Sequence, residues 1–402
     1  MNIMLLSDIP PCNNFTAGIV LNLLCGFLLE AGHNVCCFST ELQIVATSAV
    51  IPQDKLESMQ FERNAMPREN WGNLRPSGLM SFIGNNSTAL FRIPGIAKRA
   101  AVFAKNNKAD LIWNIVQGQT TIRLVRSVAK KAKLPYIIQV WDTPKWWLSS
   151  LNFDRFTFYA VMKEFGRAVR DSKCLVAASW AMADWYKKIY SCPKSVPVIL
   201  GFNPSRVLPN EKTDSDSGKY IIALSGQNYA TTELHALIAA LESINWAHAG
   251  KKIVLKLYGK SFIIDSVYEK YIEKDIERKG WLDQELLLPE LAKADILYCP
   301  YQFGSEFEDV ARYSFPSKLS GYLKIAVPVL FHGPEYSSPY TFLKEYNAAY
   351  LCNSLEPKII ADIIINILDD PNKFEYTERA YAAFLKELTL DRMKENFLYS
   401  IK

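Results

Sequence analysis

The chain has 402 residues, 22% of them charged and 49% hydrophobic, and 46 basic against 41 acidic side chains leave a net charge of +5. That balance excludes a disordered, collagenous or disulfide-scaffold chain, and it is too mild for a dedicated nucleic-acid binder. At very roughly 150 residues per domain, the length implies two or three domains, each able to bury a core.

Asn2–Leu6 is a short apolar run, Gly18–Ala31 carries apolar residues at helical spacing and closes on Gly32, and Asn34–Phe38 is the next strand-like run. Together they form a βαβ unit, which implies a parallel sheet with helices on both faces. Residues 48–95, with Pro52, Pro67, Pro76 and Pro94, fit no period and read as an excursion from the sheet. Regularity returns with strand Leu111–Val116, helix Gln119–Ala132, strand Tyr136–Val140, helix Asp154–Asp171, strand Cys174–Ala178, helix Trp180–Ile189 and strand Val196–Leu200. Residues 203–218 are rich in Pro, Asp, Ser and Asn and read as a linker.

A second alternating series follows: strand Tyr220–Leu224, helix Thr232–Asn245, strand Ile253–Tyr258, helix Gln284–Lys293, strand Ile296–Cys299, helix Pro316–Lys324 and strand Val327–Phe331. Late helices are expected near Lys358–Leu368 and from Tyr376 onward. The expected fold is therefore α/β: a doubly wound N-terminal domain over 1–202, a linker over 203–218 and a doubly wound C-terminal domain over 219–375. Helices over 376–402 are read as able to pack back on the first domain. Ligands of such sheets bind at the carboxyl ends of the strands, so motifs matter most just after each strand, around a cleft facing both domains.

Ile9–Leu29 is uncharged but interrupted by Pro10, Pro11, Asn13, Asn14, Gly18 and Asn22, so neither a signal peptide nor a spanning helix is expected. The eight cysteines show no C-x-x-C spacing and read as reduced core residues of a cytoplasmic protein. From Ala97 to Lys133 nine Lys or Arg face one acidic residue, Asp110. Such a run reads either as solvated helix faces or as attraction to an anionic membrane surface or acceptor, which would put the protein at the inner face of the membrane.

Several nucleotide and metal motifs fail. G-x-G-x-x-G is absent, and Gly259-Lys260-Ser261 lacks the first glycine of a phosphate loop, since Val254 stands there. The four histidines show no ligand spacing, and no metal is expected. The informative segment is Tyr313–Pro328, with Ser314-Phe315-Pro316-Ser317-Lys318-Leu319 at its head. Pro316 suits a first helical turn, and the unpaired N–H groups there, the Ser317 hydroxyl and Lys318 would hold a phosphate or diphosphate. The alternative is a plain helix start with a surface lysine.

Gln139-Val140-Trp141-Asp142-Thr143-Pro144-Lys145-Trp146-Trp147 follows another strand. Asp142 there would orient an acceptor hydroxyl or part of a donor sugar, or else cap the next turn. Trp141, Trp146 and Trp147 would stack on sugar rings or touch lipid headgroups, or simply pack the loop. Ser179 reads first as a helix N-cap.

Ser314–Leu323 followed by Val327-Pro328-Val329-Leu330 resembles the donor-site segment of GT-B glycosyltransferases, and most closely the retaining family 4 (group 1) enzymes. Gly280-Trp281-Leu282 with Leu286-Leu287 and Leu291–Asp295, the opening Phe15-Thr16-Ala17-Gly18, and Gly32-His33-Asn34-Val35 extend the likeness. The resemblance implies two Rossmann-like domains facing a central cleft and a nucleotide diphosphate sugar as donor substrate, with no further cofactor. It implies that the base lies against Gly280, Trp281 and Leu282 and the diphosphate against Ser317, Lys318 and the loop Ser225-Gly226-Gln227. Lys260 would add charge, and Gly18 would approach the diphosphate. The family's two glutamates fall at Tyr313 and Gly321 here; Glu306, Glu308 or Asp309 would then serve the ribose.

By that resemblance the protein is a hexosyltransferase acting with retention. It would pass a sugar to a saccharide or lipid-linked saccharide in polysaccharide or glycoconjugate biosynthesis, with Lys318 stabilising the departing diphosphate and Asp142 catalytic on the acceptor side. Two other readings stay open: a GT-B scaffold subunit that has lost chemistry, and a sugar-nucleotide epimerase.

Overall fold

The structure, a computed structural model, describes residues 1–13, 16–40, 56–58, 78–151, 153–212, 216–227, 229–260 and 262–402. Phe15, Asn14, Ser261 and much of 48–95 lie outside the described residues. The chain divides into two compact units, Met1–Ile199 with Met393–Lys402, and Leu200–Arg392.

In the first unit the chain runs through β1 (Asn2–Ser7), α1 (Thr16–Glu30), β2 (Asn34–Ser39), β3 (Leu56–Ser58), α2 (Gly78–Asn106), β4 (Leu111–Val116) and α3 (Gln119–Ala132). It continues with β5 (Tyr136–Val140), α4 (Pro144–Ser150), α5 (Arg155–Asp171), β6 (Cys174–Ala177), α6 (Trp180–Tyr190) and β7 (Ser195–Pro197). The strands pair in parallel in the order β3-β2-β1-β4-β5-β6-β7. β4 and β5 are buried at every residue, as strands covered by helices on both faces must be. Asp154 caps α5 by accepting from Thr157 N–H at 2.8 Å, and Ser179 caps α6 by accepting from Met182 N–H at 3.0 Å.

The helix over 78–106 was not expected. Pro94 and the glycines mask its period, yet Pro94 interrupts only one backbone bond of a helix 29 residues long. The short helix α4, whose first residue is Pro144, was also read as loop.

The second unit contains β8 (Lys219–Ser225), α7 (Thr231–Ser243), β9 (Ala247–His248), β10 (Lys251–Tyr258), β11 (Ile276–Gly280), α8 (Gln284–Leu291), β12 (Ile296–Pro300), α9 (Glu308–Tyr313) and α10 (Ser317–Tyr322). β13 (Val329–His332), α11 (Ser338–Tyr346), β14 (Tyr350–Cys352), α12 (Pro357–Asp369) and α13 (Lys373–Glu387) complete it. Its parallel order is β11-β10-β8-β12-β13-β14, with β9 antiparallel on β10. Leu237, Leu241, Leu255, Tyr298, Ile360 and Ile364 belong to one core between the sheet and the helices α7 and α12.

The polar stretch 203–218 is tied to this unit along its described residues. Val207 N–H donates to Lys324 O at 3.0 Å, Arg206 pairs with Glu378 at 2.8 Å, Lys212 with Asp295 at 2.6 Å, and buried Asp216 with buried Lys256 at 2.5 Å. Arg206, Lys212 and Asp216 are thus partners for the sheet and helices rather than solvent-facing spacers. The last helix, α14 (Leu390–Ile401), reaches the first unit's core, where Phe397 packs at a tilt against Trp113 of β4, ring centroids 4.8 Å apart.

Candidate functional site

In the second unit the chain moves from β8 to β10 and β11 on one side, then to β12, β13 and β14 on the other. Connections leaving the carboxyl ends of neighbours β8 and β12 therefore diverge, and a doubly wound sheet opens its ligand crevice there.

The turn after β8 is built around Gly226. Its φ is +83°, a left-handed conformation that favours glycine, and its N–H donates to Tyr258 O at 2.8 Å. A Cβ on Gly259 would stand 2.6 Å from Gly226 O, so the turns after β8 and β10 touch only because residue 259 lacks a side chain.

Lys318 reaches this turn from α10. Its Nζ donates to Gln227 O at 3.1 Å, and its Cε lies 3.9 Å from where a Gly226 Cβ would be. Among the described residues it has no carboxylate partner, and desolvation pulls its ammonium below the ordinary lysine range. Neighbouring Cys299 is pushed up to about 12 by burial, with the Lys318 charge opposing that rise. One helical turn further on, Tyr322 accepts from Ser225 N–H at 2.7 Å and lies 3.1 Å from Ser225 Oγ. Lys318 and Tyr322 thus use one face of α10 to grip the loop Ser225-Gly226-Gln227.

The rest of the segment divides between exposure and anchoring. Ser317 is exposed. Phe315 is buried edge-on against Phe342 at 5.3 Å, and Leu319 is fully buried, so these two hold the segment in place. Pro316 is the N-cap residue, not a first-turn residue as expected: its ψ of 124° is extended, and its carbonyl already accepts from Leu319 N–H at 3.0 Å. The helix is accordingly shorter than the Pro316–Lys324 expected.

Gly280 ends β11 with φ +72°, and a register shift after Leu257 sets it opposite Tyr258. Trp281 follows, 59% exposed, with Lys260 Nζ 5.7 Å from its ring centroid. Beside them is a pocket of about 410 Å³ lined by Tyr258, Lys279, Leu282, Leu286, Pro289 and Glu290. That volume lies within the range of small-molecule sites. On the other side of the crevice the loop after β12 is fixed to the first turn of α7. Glu233 Oε1 accepts from Phe303 N–H at 2.8 Å, and Gln302 Nε2 donates to Tyr229 O at 3.0 Å. Gly321 is buried, and a Cβ there would meet the Phe202 ring at 3.9 Å. Glu308 is held by Arg312 at 2.7 Å, and Glu306 folds back over Gly304.

The remaining expected residues lie in the first unit. Asp142 follows β5 directly, is exposed, and has no hydrogen-bond partner among the described residues; surrounding protein nevertheless desolvates it and raises its pKa. It does not cap the next helix, whose N-cap is Thr143. Trp141 and Trp146 are half-buried beside it. Gly18 is buried inside α1, where a Cβ would stand 2.2 Å from Cys12 Sγ and 3.1 Å from Pro10 O. Close packing of the loop 10–12 therefore requires glycine there. Tyr322 and Glu233 were missed in the sequence, and Gly259 was weighed only as part of a phosphate loop that fails. Tyr322 left a signal, standing four residues after Lys318.

The sequence matches no protein-family model and no curated protein. The fold has many likenesses among solved structures. The sucrose-phosphate synthase of Thermosynechococcus elongatus superposes with a TM-score of 0.67 at 13% identity, over 99% of this chain and 98% of that one. The Anabaena protein HepE, solved with UDP, gives 0.65 at 14% identity over 100% and 99%. The lipopolysaccharide outer core galactosyltransferase WaaB gives 0.61 at 12% identity over 100% and 99%. The chain therefore has the GT-B fold of these glycosyltransferases, two Rossmann-like units in one chain.

Proposed function

We propose that the protein is a glycosyltransferase that takes its sugar from a nucleotide diphosphate sugar bound at the carboxyl edge of the second unit's sheet. One observation carries the reading: Lys318 is a desolvated cation at the strand-order switch point with no carboxylate partner among the described residues. A desolvated charge without a counter-ion is costly, and a diphosphate is the counter-ion that such a crevice selects. HepE, which shares the fold, was solved with UDP.

In this reading the pocket beside Leu282 receives the base, with Trp281 and Lys260 at its rim. The diphosphate meets the Gly226 turn, Ser317 and Lys318. As the sugar–phosphate bond breaks, negative charge grows on the diphosphate, and the fixed ammonium stabilises it more in the transition state than before. We assign Asp142, with Trp141 and Trp146, to the acceptor side. The acceptor is a saccharide or lipid-linked saccharide, the sugar is transferred with retention, and the setting is polysaccharide or glycoconjugate assembly on the cytoplasmic side. The donor charge is handled by Lys318 rather than a metal, so chelation with EDTA should leave transfer unchanged.

Radiolabelled sugar transfer from a panel of nucleotide sugars tests this. Lys318→Ala should lower turnover about a hundredfold or more, the scale of losing one preorganised charge. Undiminished transfer by that variant would remove the assignment. Gly321, which puts no carboxylate near the ribose, favours a second reading, a nucleotide-binding scaffold. Nucleotide binding without transfer from any donor would select it.

A further inference from the structure

Helix α2 carries four basic residues, Arg92, Lys98, Arg99 and Lys105, and no Asp or Glu over its 29 residues. Large apolar side chains nevertheless stand in solvent along it: Leu79 at 63%, Met80 at 64%, Ile83 at 55%, Leu90 at 67% and Phe91 at 78% exposed. Positions 79, 83 and 90 are four and seven residues apart, which keeps them on one face of a helix. Met80 and Phe91, eleven residues apart, lie on an adjacent line that Lys98 and Lys105 continue at steps of seven, so this second line passes from apolar to cationic. Helix α5 extends it. Phe82 packs on Phe156 at 5.4 Å and Ser81 Oγ donates to Asp154 at 2.7 Å, which sets exposed Phe156 and Tyr159 beside the start of α2. Arg155 stands there too, its guanidinium 5.6 Å from the Tyr159 ring.

Exposed apolar residues on a soluble surface are usually scattered singly. Here five stand on two adjacent lines of one helix whose charged residues are all cations, the pattern of a helix that lies in a bilayer interface with its apolar side in the acyl boundary and its cations on headgroups. No helix among the described residues is long and apolar enough to cross a membrane, so the contact is peripheral. We propose that the exposed face of α2, with the first turns of α5, docks on an anionic lipid bilayer. The occupant follows from charge complementarity: anionic headgroups match Arg92, Lys98, Arg99, Lys105 and Arg155.

Co-sedimentation of the full chain with vesicles tests the proposal, using phosphatidylcholine alone and an equal mixture of phosphatidylcholine and phosphatidylglycerol. Binding is expected to the mixture only, and to weaken with salt. Lys98→Gln and Lys105→Gln should each lower the partition constant about fivefold. The double change Leu90→Ser with Phe91→Ser should lower it at least about tenfold. All four side chains are exposed, so melting temperatures should not move, and Lys251→Gln in the second unit should leave binding intact. No binding to the anionic vesicles, or equal binding by the variants, would overturn the proposal. So would a self-associating chain whose dimer the Leu90→Ser and Phe91→Ser changes abolish, because the face would then belong to a second copy.

Discussion

Lys318 ties the donor reading to pH. Desolvation places its pKa below the ordinary lysine value of 10.5, so the free protein loses this charge earlier on the alkaline side than an exposed lysine does. A bound diphosphate favours the charged form, and binding therefore takes up a proton as the pH nears that lowered pKa. Nucleotide diphosphate affinity should be flat near neutrality and begin to fall with rising pH before pH 10.5 is reached, and Lys318→Arg should remove the alkaline fall. Isothermal titration across pH measures both. Gly259 is the second decisive position. A Cβ there needs the space of Gly226 O, so Gly259→Ala must push the turn after β8 away from Lys318. That substitution should weaken nucleotide binding about tenfold or more while Lys318 itself is unaltered in identity. Unchanged affinity would show that the turn plays no part.

Between elements, buried polar pairs carry the burden. His332 on β13 lies 2.6 Å from Tyr298 Oη on β12 through Nδ1, and its Nε2–H donates to Ser354 O at 2.7 Å beyond β14. Burial lowers its pKa to about 4, so the folded state keeps it neutral where the unfolded chain takes up a proton near 6.5. Stability above pH 6.5 is therefore lost as the pH falls from 6.5 toward 4, by roughly 3 kcal/mol at 1.36 kcal/mol per unit. His332→Gln should flatten that window in denaturant titrations, and a wild-type curve already flat there would contradict the argument. Lys256 and Asp216 are each buried, paired at 2.5 Å, and join the strand β10 to the segment before β8. Asp216→Ala leaves the buried ammonium with only the longer contact to Glu277 at 3.8 Å and should cost about 3 kcal/mol, whereas replacing both partners by apolar residues should cost much less.

Legibility also differed by element. The buried parallel strands stood out because continuous apolar runs such as Ile3–Leu6 and Ile221–Leu224 have no solvent face to dilute them. Helix α2 was hidden because its apolar residues face two ways, part toward the core and part toward solvent. That is the feature on which the lipid-docking proposal rests. At the proposed donor site the segment Phe315–Leu319 and the residues Lys260 and Trp281 were named through the family resemblance and their places after strands of an alternating series. Glu233, Gly259 and Tyr322 act through loops whose closeness depends on sheet order, which no local pattern states.

For the molecule as a whole, the account divides labour between units that fold around separate sheets. Asp142 belongs to the first and Lys318 to the second. If the donor binds the second unit and Asp142 serves the acceptor, Asp142→Asn should lower turnover about a hundredfold while nucleotide affinity stays within about twofold. Equal loss of both would place Asp142 with the donor instead. The raised Asp142 pKa adds that turnover should decline on the acid side earlier than for an ordinary aspartate, because the carboxylate is protonated at higher pH.

The most direct measurement is a thermal-shift panel of UDP, GDP, ADP, CMP and NAD on the wild type and on Lys318→Ala. A ligand that binds only the folded state raises the melting temperature, by about 2.7 kcal/mol of stabilisation at a hundredfold excess over its dissociation constant. The account predicts that one nucleoside diphosphate shifts the wild type and not the variant. A shift by NAD alone, or equal shifts in both proteins, would contradict it.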